Sequence, residues 1–267
     1  MLFSKKTRLL LPALVAATLF GGCTFFRKGS QVANYFSLED DKRLGLEVSQ
    51  EIENQSFTYP ILPEKGNEEV YRYVRNLRDR ILGTGRVQHA RDFDWKVKII
   101  RDDETQNAFC APGGHIYIFT GLIKFLDSED QLAGVIAHEI AHAANRHYTR
   151  HISKSMPART IADALLGQSD AAKAIAVGLA SLKYSRAFEA EADEFSVHYL
   201  CGLGLRADGA AAFFRKIESL EASPPQWLST HPSPKNRIEH IEAQAKAQNC
   251  KGTQTNSAEY QRIKKLL

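Results

Sequence analysis

Two histidines and a glutamate set the chemistry open to this chain: His138-Glu139-Ile140-Ala141-His142. On a helix, residues four apart lie on one face, so both imidazoles can reach a single metal ion. Glu139 stands one step round, where its carboxylate can take a proton from a water on that metal without ligating the metal itself. A catalytic zinc wants three protein ligands and one open position, so a further donor must come from another part of the chain. Ser185-Arg-Ala-Phe-Glu-Ala-Glu-Ala-Asp193 offers one. Glu189 and Asp193 share a helix face; one can bind the metal while the other accepts the free ring N–H of a histidine ligand and fixes its tautomer. Spacing alone leaves open which of the two binds, and Glu191 points off their face.

Positioning these groups requires a helix from Gln131 to His147. Ser128 reads as its N-cap, with Gln131 completing a capping box and Glu129 and Asp130 in the first turn; Leu132, Val135, Ile136 and Ile140 form an apolar stripe. His147 and His151 fall on the same helix, but His147 is about half a turn from the face of His138, so both read as structural or surface residues. His115, His198 and His240 lack partner spacing. Upstream, apolar periodicity predicts helices over Leu38 to Asn54 and Glu68 to Leu82. Downstream it predicts helices over Phe188 to Leu200, Asp208 to Leu220 and Lys235 to Gln248, with a polar tail after Gly252 that frays. The alanine-rich stretch from Ala158 to Leu182 reads as a packed helical pair or as a cover over a cleft.

A small β region precedes the metal-binding helix. Trp95-Lys-Val-Lys-Ile alternates as a half-buried strand, Asn107-Ala108-Phe109-Cys110 follows as a second, and His115 to Thr120 as a third. Ala111-Pro-Gly-Gly114 supplies the turn. Such a sheet offers an edge on which an extended peptide can add as a strand, with Asn107, Ala108 and Phe109 as its binding residues. The same hairpin also props the helix.

At 267 residues, 43% apolar and 25% charged, the chain can hold one sizeable domain. Three of the basic residues behind its net charge of +4 are Lys5, Lys6 and Arg8, which open an export signal with an apolar run from Leu9 to Phe20. What remains gives no electrostatic case for a nucleic-acid partner. Leu19-Phe-Gly-Gly-Cys23 resembles a bacterial lipoprotein box, although Phe20 stands where leucine is usual; a plain cleaved signal with a nearby cysteine is the alternative. The resemblance implies an acylated Cys23, and Thr24 after it implies passage to the outer membrane. No later stretch is long and apolar enough to cross a bilayer, so lipid at Cys23 would be the membrane attachment. Cys110, Cys201 and Cys250 permit a disulfide whose connectivity the sequence leaves open.

His138-Glu-Ile-Ala-His142, the Ser-Arg-x-x-Glu-x-x-Ala-Asp pattern at 185–193, and Asn107-Ala-Phe before a Gly-Gly hairpin together resemble the CAAX-prenyl-protease-type (HtpX-like) zinc endopeptidases of the gluzincin group. The likeness runs from about Leu38 to Gln248 and is nearest to the short, lipid-anchored periplasmic type. It implies one zinc per chain with Glu189 as third ligand and Asp193 behind a histidine ligand. Thr230-His-Pro-x-Pro-x-x-Arg237 matches a loop of the periplasmic members that brings His231 close to the zinc. There His231 either occupies the open zinc position at rest or stabilises the oxyanion of the reaction. The expected fold is α+β, predominantly helical, a gluzincin-type metallopeptidase domain with a small β-sheet beside the active-site helix. The expected layout is a lipoprotein signal at 1–22, a lipid-anchored tether at 23–37, the metallopeptidase domain at 38–252 and a polar tail at 253–267. The expected activity is hydrolysis of internal peptide bonds in misfolded or unassembled envelope proteins. A chaperone-like binding factor for outer-membrane proteins, with little proteolysis, is the competing class; an intact Glu139 favours the enzyme.

Overall fold

Alternating side chains build the sheet on which the site rests. In the computed structural model, which describes residues 33–167, 182–219, 226–232 and 236–267, three strands form: β1 (Lys96–Ile100), β2 (Ala108–Ala111) and β3 (His115–Phe119). The export signal, Cys23, most of the tether, the second half of the alanine-rich stretch, Pro224-Pro225 and Pro234 lie outside the described residues. The strand order is β1-β3-β2, with β1 parallel and β2 antiparallel to β3. The hairpin turns through Pro112–Gly114, where Gly113 and Gly114 take φ of 72° and 95°, a region open to glycine at little cost.

Eleven helices among the described residues surround this sheet: α1 (Leu38–Asn54), α2 (Glu68–Leu82), α3 (Thr120–Phe125), α4 (Glu129–Ala144), α5 (His147–Ser155), α6 (Ala158–Leu165), α7 (Arg186–Leu200), α8 (Gly209–Glu218), α9 (Trp227–Thr230), α10 (Arg237–Ala247) and α11 (Ser257–Lys264). Val97, Ile99, Ala108, Cys110, Ile116 and Ile118 face the larger core, which α2, α4, α7 and α8 complete. Ile100, Phe109, Ala111, Tyr117 and Phe119 face a second core with Leu44, Val48, Tyr148 and Ile161. Trp95 to Ile99 alternates as a half-buried strand should, with Lys96 exposed, Lys98 partly so and Val97 and Ile99 buried; β2 and β3 are instead buried along their whole length.

Helix α4 departs from its expected form in three ways. Every residue but Gln131 is buried, so the apolar stripe is a fully enclosed helix. A Cβ on Gly134 would meet the Ala210 nitrogen at 2.4 Å, and this missing side chain lets α8 lie directly against α4. No capping box forms: Ser128 Oγ bonds Asp130, Gln131 Oε1 accepts the Asp127 N–H at 3.0 Å, and Glu129 accepts from Tyr73 (2.6 Å), Arg80 (2.7 Å) and Asn256 (2.8 Å). Finally, α4 stops at Ala144. Arg146 takes φ of 58°, fixed by contacts to Asp41 and to the carbonyls of Phe36 (2.5 Å) and Ser37 (2.9 Å), and His147 begins a new helix.

The carboxy-terminal stretch is not a frayed tail. Tyr260 and Ile263 of α11 are buried, and Tyr260 donates to the Ile123 carbonyl at 2.7 Å. A disulfide joins Cys201 to Cys250, tying the end of α7 to the segment after α10, while Cys110 is free and buried. Among the described residues, no helix is long and apolar enough to cross a membrane.

Candidate metal centre

Helices α4 and α7 pack against each other, with His138 and His142 on the first facing Glu189 and Asp193 on the second. Ser185 caps α7, which starts two residues earlier than expected, and accepts the Phe188 N–H at 3.3 Å, fixing the register of Glu189. His231 follows α9 and enters the same space. The atoms that converge are His138 Nε2, His142 Nε2, a Glu189 oxygen and His231 Nδ1. His138 Nε2 lies 3.0 Å from His142 Nε2 and 3.4 Å from His231 Nδ1. Glu189 Oε1 lies 3.4 Å from His142 Nε2 and 3.1 Å from His231 Nδ1, with its Oε2 3.5 Å from His138 Nε2. A tetrahedral ion with bonds of about 2.0–2.1 Å has edges of roughly 3.3 Å, so the spacing suits zinc.

Charge agrees with geometry. Glu139, Glu189 and Asp193 are buried within the centre, and Arg237 is the buried guanidinium beside them. Among the described residues, three acids against one cation leave room for a dication. Burial opposes the charge on Glu189, but His231, His138 and His142 outweigh it and hold the carboxyl well below its usual range. Burial pushes His142 well below its ordinary value, leaving the neutral imidazole that ligates metals. Burial also raises Glu139, partly offset by His231 and His138, as suits a proton acceptor.

Asp193 Oδ1 lies 3.0 Å from His138 Nδ1. Glu139 is outside the converging set; its Oε1 accepts from Trp227 Nε1 at 3.3 Å and lies 3.5 Å from His231 Nε2. Glu191 is off the centre, with Oε2 3.4 Å from both His147 Nε2 and Arg150 Nη1. The sheet presents its β2 edge to the site: Asn107, Phe109 and Cys110 line a cleft together with Glu139, Tyr184 and His231. The Asn107 carbonyl accepts from Phe119 N–H at 3.0 Å, so by antiparallel alternation the backbone groups of Ala108 turn away from β3, where its N–H donates to Asn107 Oδ1 at 2.9 Å. His115, His151, His198 and His240 take no part in the cluster.

Four further residues belong to the surroundings of the centre. Trp227 stacks on His231 (4.4 Å, 14°), Tyr184 stacks on His142 (4.0 Å, 24°), and Arg237 contacts Asp193 and Glu189. His147 is fully buried, its Nδ1 2.9 Å from His142 Nδ1, which corrects its reading as a distant face of the same helix. For Arg237 and Trp227 a signal existed in the sequence: both flank the Thr230-His-Pro motif. For Tyr184 and His147 only folding supplies the contact.

The profile of peptidase family M48 matches residues 70–245, a span that contains every residue of the cluster. Mitochondrial metalloendopeptidase OMA1 of Schizosaccharomyces pombe is 29% identical over 216 residues, covering 78% of this chain and 62% of that protein. The chain thus spans less than two thirds of that relative. Metalloprotease LoiP of Escherichia coli is 25% identical over 253 residues, 88% of this chain and 96% of its own length. A Vibrio cholerae protein named as a beta-barrel assembly-enhancing protease is 32% identical over 183 residues, 62% of this chain and 37% of its own. With the profile covering most of the chain, and the clustered histidines and acids all inside it, the chain belongs to peptidase family M48.

Proposed function

We propose that the chain is a zinc-dependent endopeptidase of the bacterial envelope, held to a membrane by lipid on Cys23 and acting on misfolded or unassembled envelope proteins. The observation that carries the catalytic part is the convergence of one donor atom each from His138, His142, Glu189 and His231, all within 4.8 Å of one another, with Glu139 beside that set but outside it. His138, His142 and Glu189 would hold the zinc, and Asp193 would fix the His138 ring through Nδ1. The ion, when bound, supplies an acidified water and a polarised scissile carbonyl.

Each protein group has its own task. Glu139 takes the water's proton and returns it to the leaving amine; its buried carboxyl, with a raised pKa, is matched to both halves of that transfer. Asn107, Ala108 and Phe109 would receive substrate as an added strand, with the outward carbonyl of Ala108 as the pairing group, its N–H being held by Asn107 Oδ1 at 2.9 Å. His231, at the fourth corner of the donor set and braced by Trp227, would close the centre at rest and swing aside as substrate arrives. The lipid anchor rests on the lipoprotein-box likeness at Leu19 to Cys23. The envelope substrates rest on that reading together with the name of the Vibrio relative. On this reading residues 1–22 are a signal, 23–37 a tether, and the metallopeptidase domain starts at 38.

The test is to incubate the purified protein with an unfolded β-barrel protein, with and without a metal chelator. Chelator-sensitive internal fragments are expected. An intact client held in complex would instead make the chain a binding factor.

A further inference from the structure

The two histidines that α4 brings to the centre are braced in different ways. His138 meets a carboxylate directly, through Asp193. His142 meets another histidine. We propose that His147 is a positioning residue for the metal centre: its Nδ1 accepts the Nδ1–H of His142, and Glu191 holds His147 in the tautomer that allows this.

With His142 read as a ligand, as in the proposed function, the ring hydrogens can be arranged in one way only. His142 Nε2 points into the donor set, 3.0 Å from His138 Nε2. A neutral imidazole that ligates through Nε2 carries its hydrogen on Nδ1. His142 Nδ1 faces His147 Nδ1 at 2.9 Å, both rings being buried, so His147 Nδ1 must accept. His147 then carries its own hydrogen on Nε2. The acid facing that nitrogen is Glu191, whose Oε2 stands 3.4 Å away, and no aligned hydrogen-bond partner meets it among the described residues. Glu191 is fixed in turn by Arg150, 3.4 Å from both carboxylate oxygens.

Packing holds the chain of groups in line. The His147 ring stacks on Phe188 (4.5 Å, 17°), one residue before Glu189 on α7, and Arg150 lies over the other partner of that stack. The left-handed Arg146 is what turns His147 back toward His142; a continued α4 would carry it away. A carboxylate thus reaches His142 through an intervening imidazole, as Asp193 reaches His138 without one. Outer partners of this kind set ring orientation and ligand basicity.

The test uses zinc affinity, measured by competition with a chromophoric chelator, on the full chain. His147→Phe keeps the flat ring against Phe188 and removes the acceptor; it should weaken zinc binding about tenfold to a hundredfold. His147→Asn places an oxygen near the lost Nδ1 and should restore affinity close to wild type. Wild-type affinity in His147→Phe, or equal weakening in both variants, would overturn the proposal. Glu191→Ala probes the same chain from a partly exposed side chain, so it stays informative if a core variant fails to fold; unchanged affinity there would remove Glu191 from the account. His142→Ala is the control. If it keeps zinc, the ligand reading itself fails; if it loses zinc while His147→Phe does not, only the role of His147 fails.

Discussion

Arg237 donates to both oxygens of Asp193, Nε to Oδ2 at 2.6 Å and Nη2 to Oδ1 at 2.8 Å. The same Nη2 lies 3.1 Å from Glu189 Oε2, and the guanidinium stacks over Phe214 (4.2 Å) and Trp227 (4.8 Å). One cation therefore joins the acid behind His138, an acid of the donor set and the ring that braces His231. Burial opposes the charge on Asp193, but Arg237 and His138 outweigh it and keep its pKa below the ordinary value.

Arg237→Met should leave two buried carboxylates short of their cation. Removing one partner of a buried pair typically costs about 3–5 kcal/mol. Zinc supplies compensating charge, so the loss should be larger in chelator than with zinc present. Denaturant titrations of both proteins in both conditions check this; an equal loss in the two conditions would contradict the shared charge balance.

His231→Ala should cleave casein faster and less selectively, with self-cleavage, because it removes the group that closes the centre. A role in oxyanion stabilisation instead requires a loss of about a hundredfold or more in turnover. Turnover of the variant beside wild type decides between them, and an unchanged rate would count against both.

Part of the cluster was legible because helical spacing is local: His138 and His142, or Glu189 and Asp193, share faces whatever the rest of the chain does. That Glu189 and not Asp193 enters the cluster was not legible from spacing, since it depends on how α4 and α7 face each other. The position of His147 was hidden for a related reason. Its contact with His142 depends on the left-handed Arg146, and that conformation is fixed by Asp41 and the Phe36 carbonyl, far away in sequence. The polar look of Gly252 onward concealed Tyr260 and Ile263, two apolar side chains one turn apart that seal the core beside Ile123. Disulfide pairing likewise needed the fold to bring Cys250 to the end of α7.

Glu129 should anchor the start of α4 in a pH-dependent way. Burial works against its charge, but Tyr73, Arg80 and Asn256 outweigh it and lower its pKa from 4.5. A depressed carboxylate contributes stability above its unfolded pKa and loses it as pH falls through the folded value. Glu129→Gln should therefore cost about 2 kcal/mol at neutral pH, with the gap to wild type narrowing in acid. Denaturation midpoints across pH check the trend; a gap that widens as pH falls would contradict it.

The Cys201–Cys250 bond closes a long loop, with a sequence separation of 49. Replacing both cysteines by serine should lower stability by about 2–4 kcal/mol. An unchanged denaturation midpoint would show that the helical packing of α7 against α10 holds the ends together unaided.

In the proposed mechanism Glu139 is a base beside a metal and not one of its ligands. Zinc content and casein hydrolysis of Glu139→Gln, measured on one preparation beside wild type, test it most directly. One zinc per chain is expected in both proteins, with hydrolysis reduced about a hundredfold to ten-thousandfold in the variant. Wild-type hydrolysis by a zinc-loaded Glu139→Gln protein would contradict it.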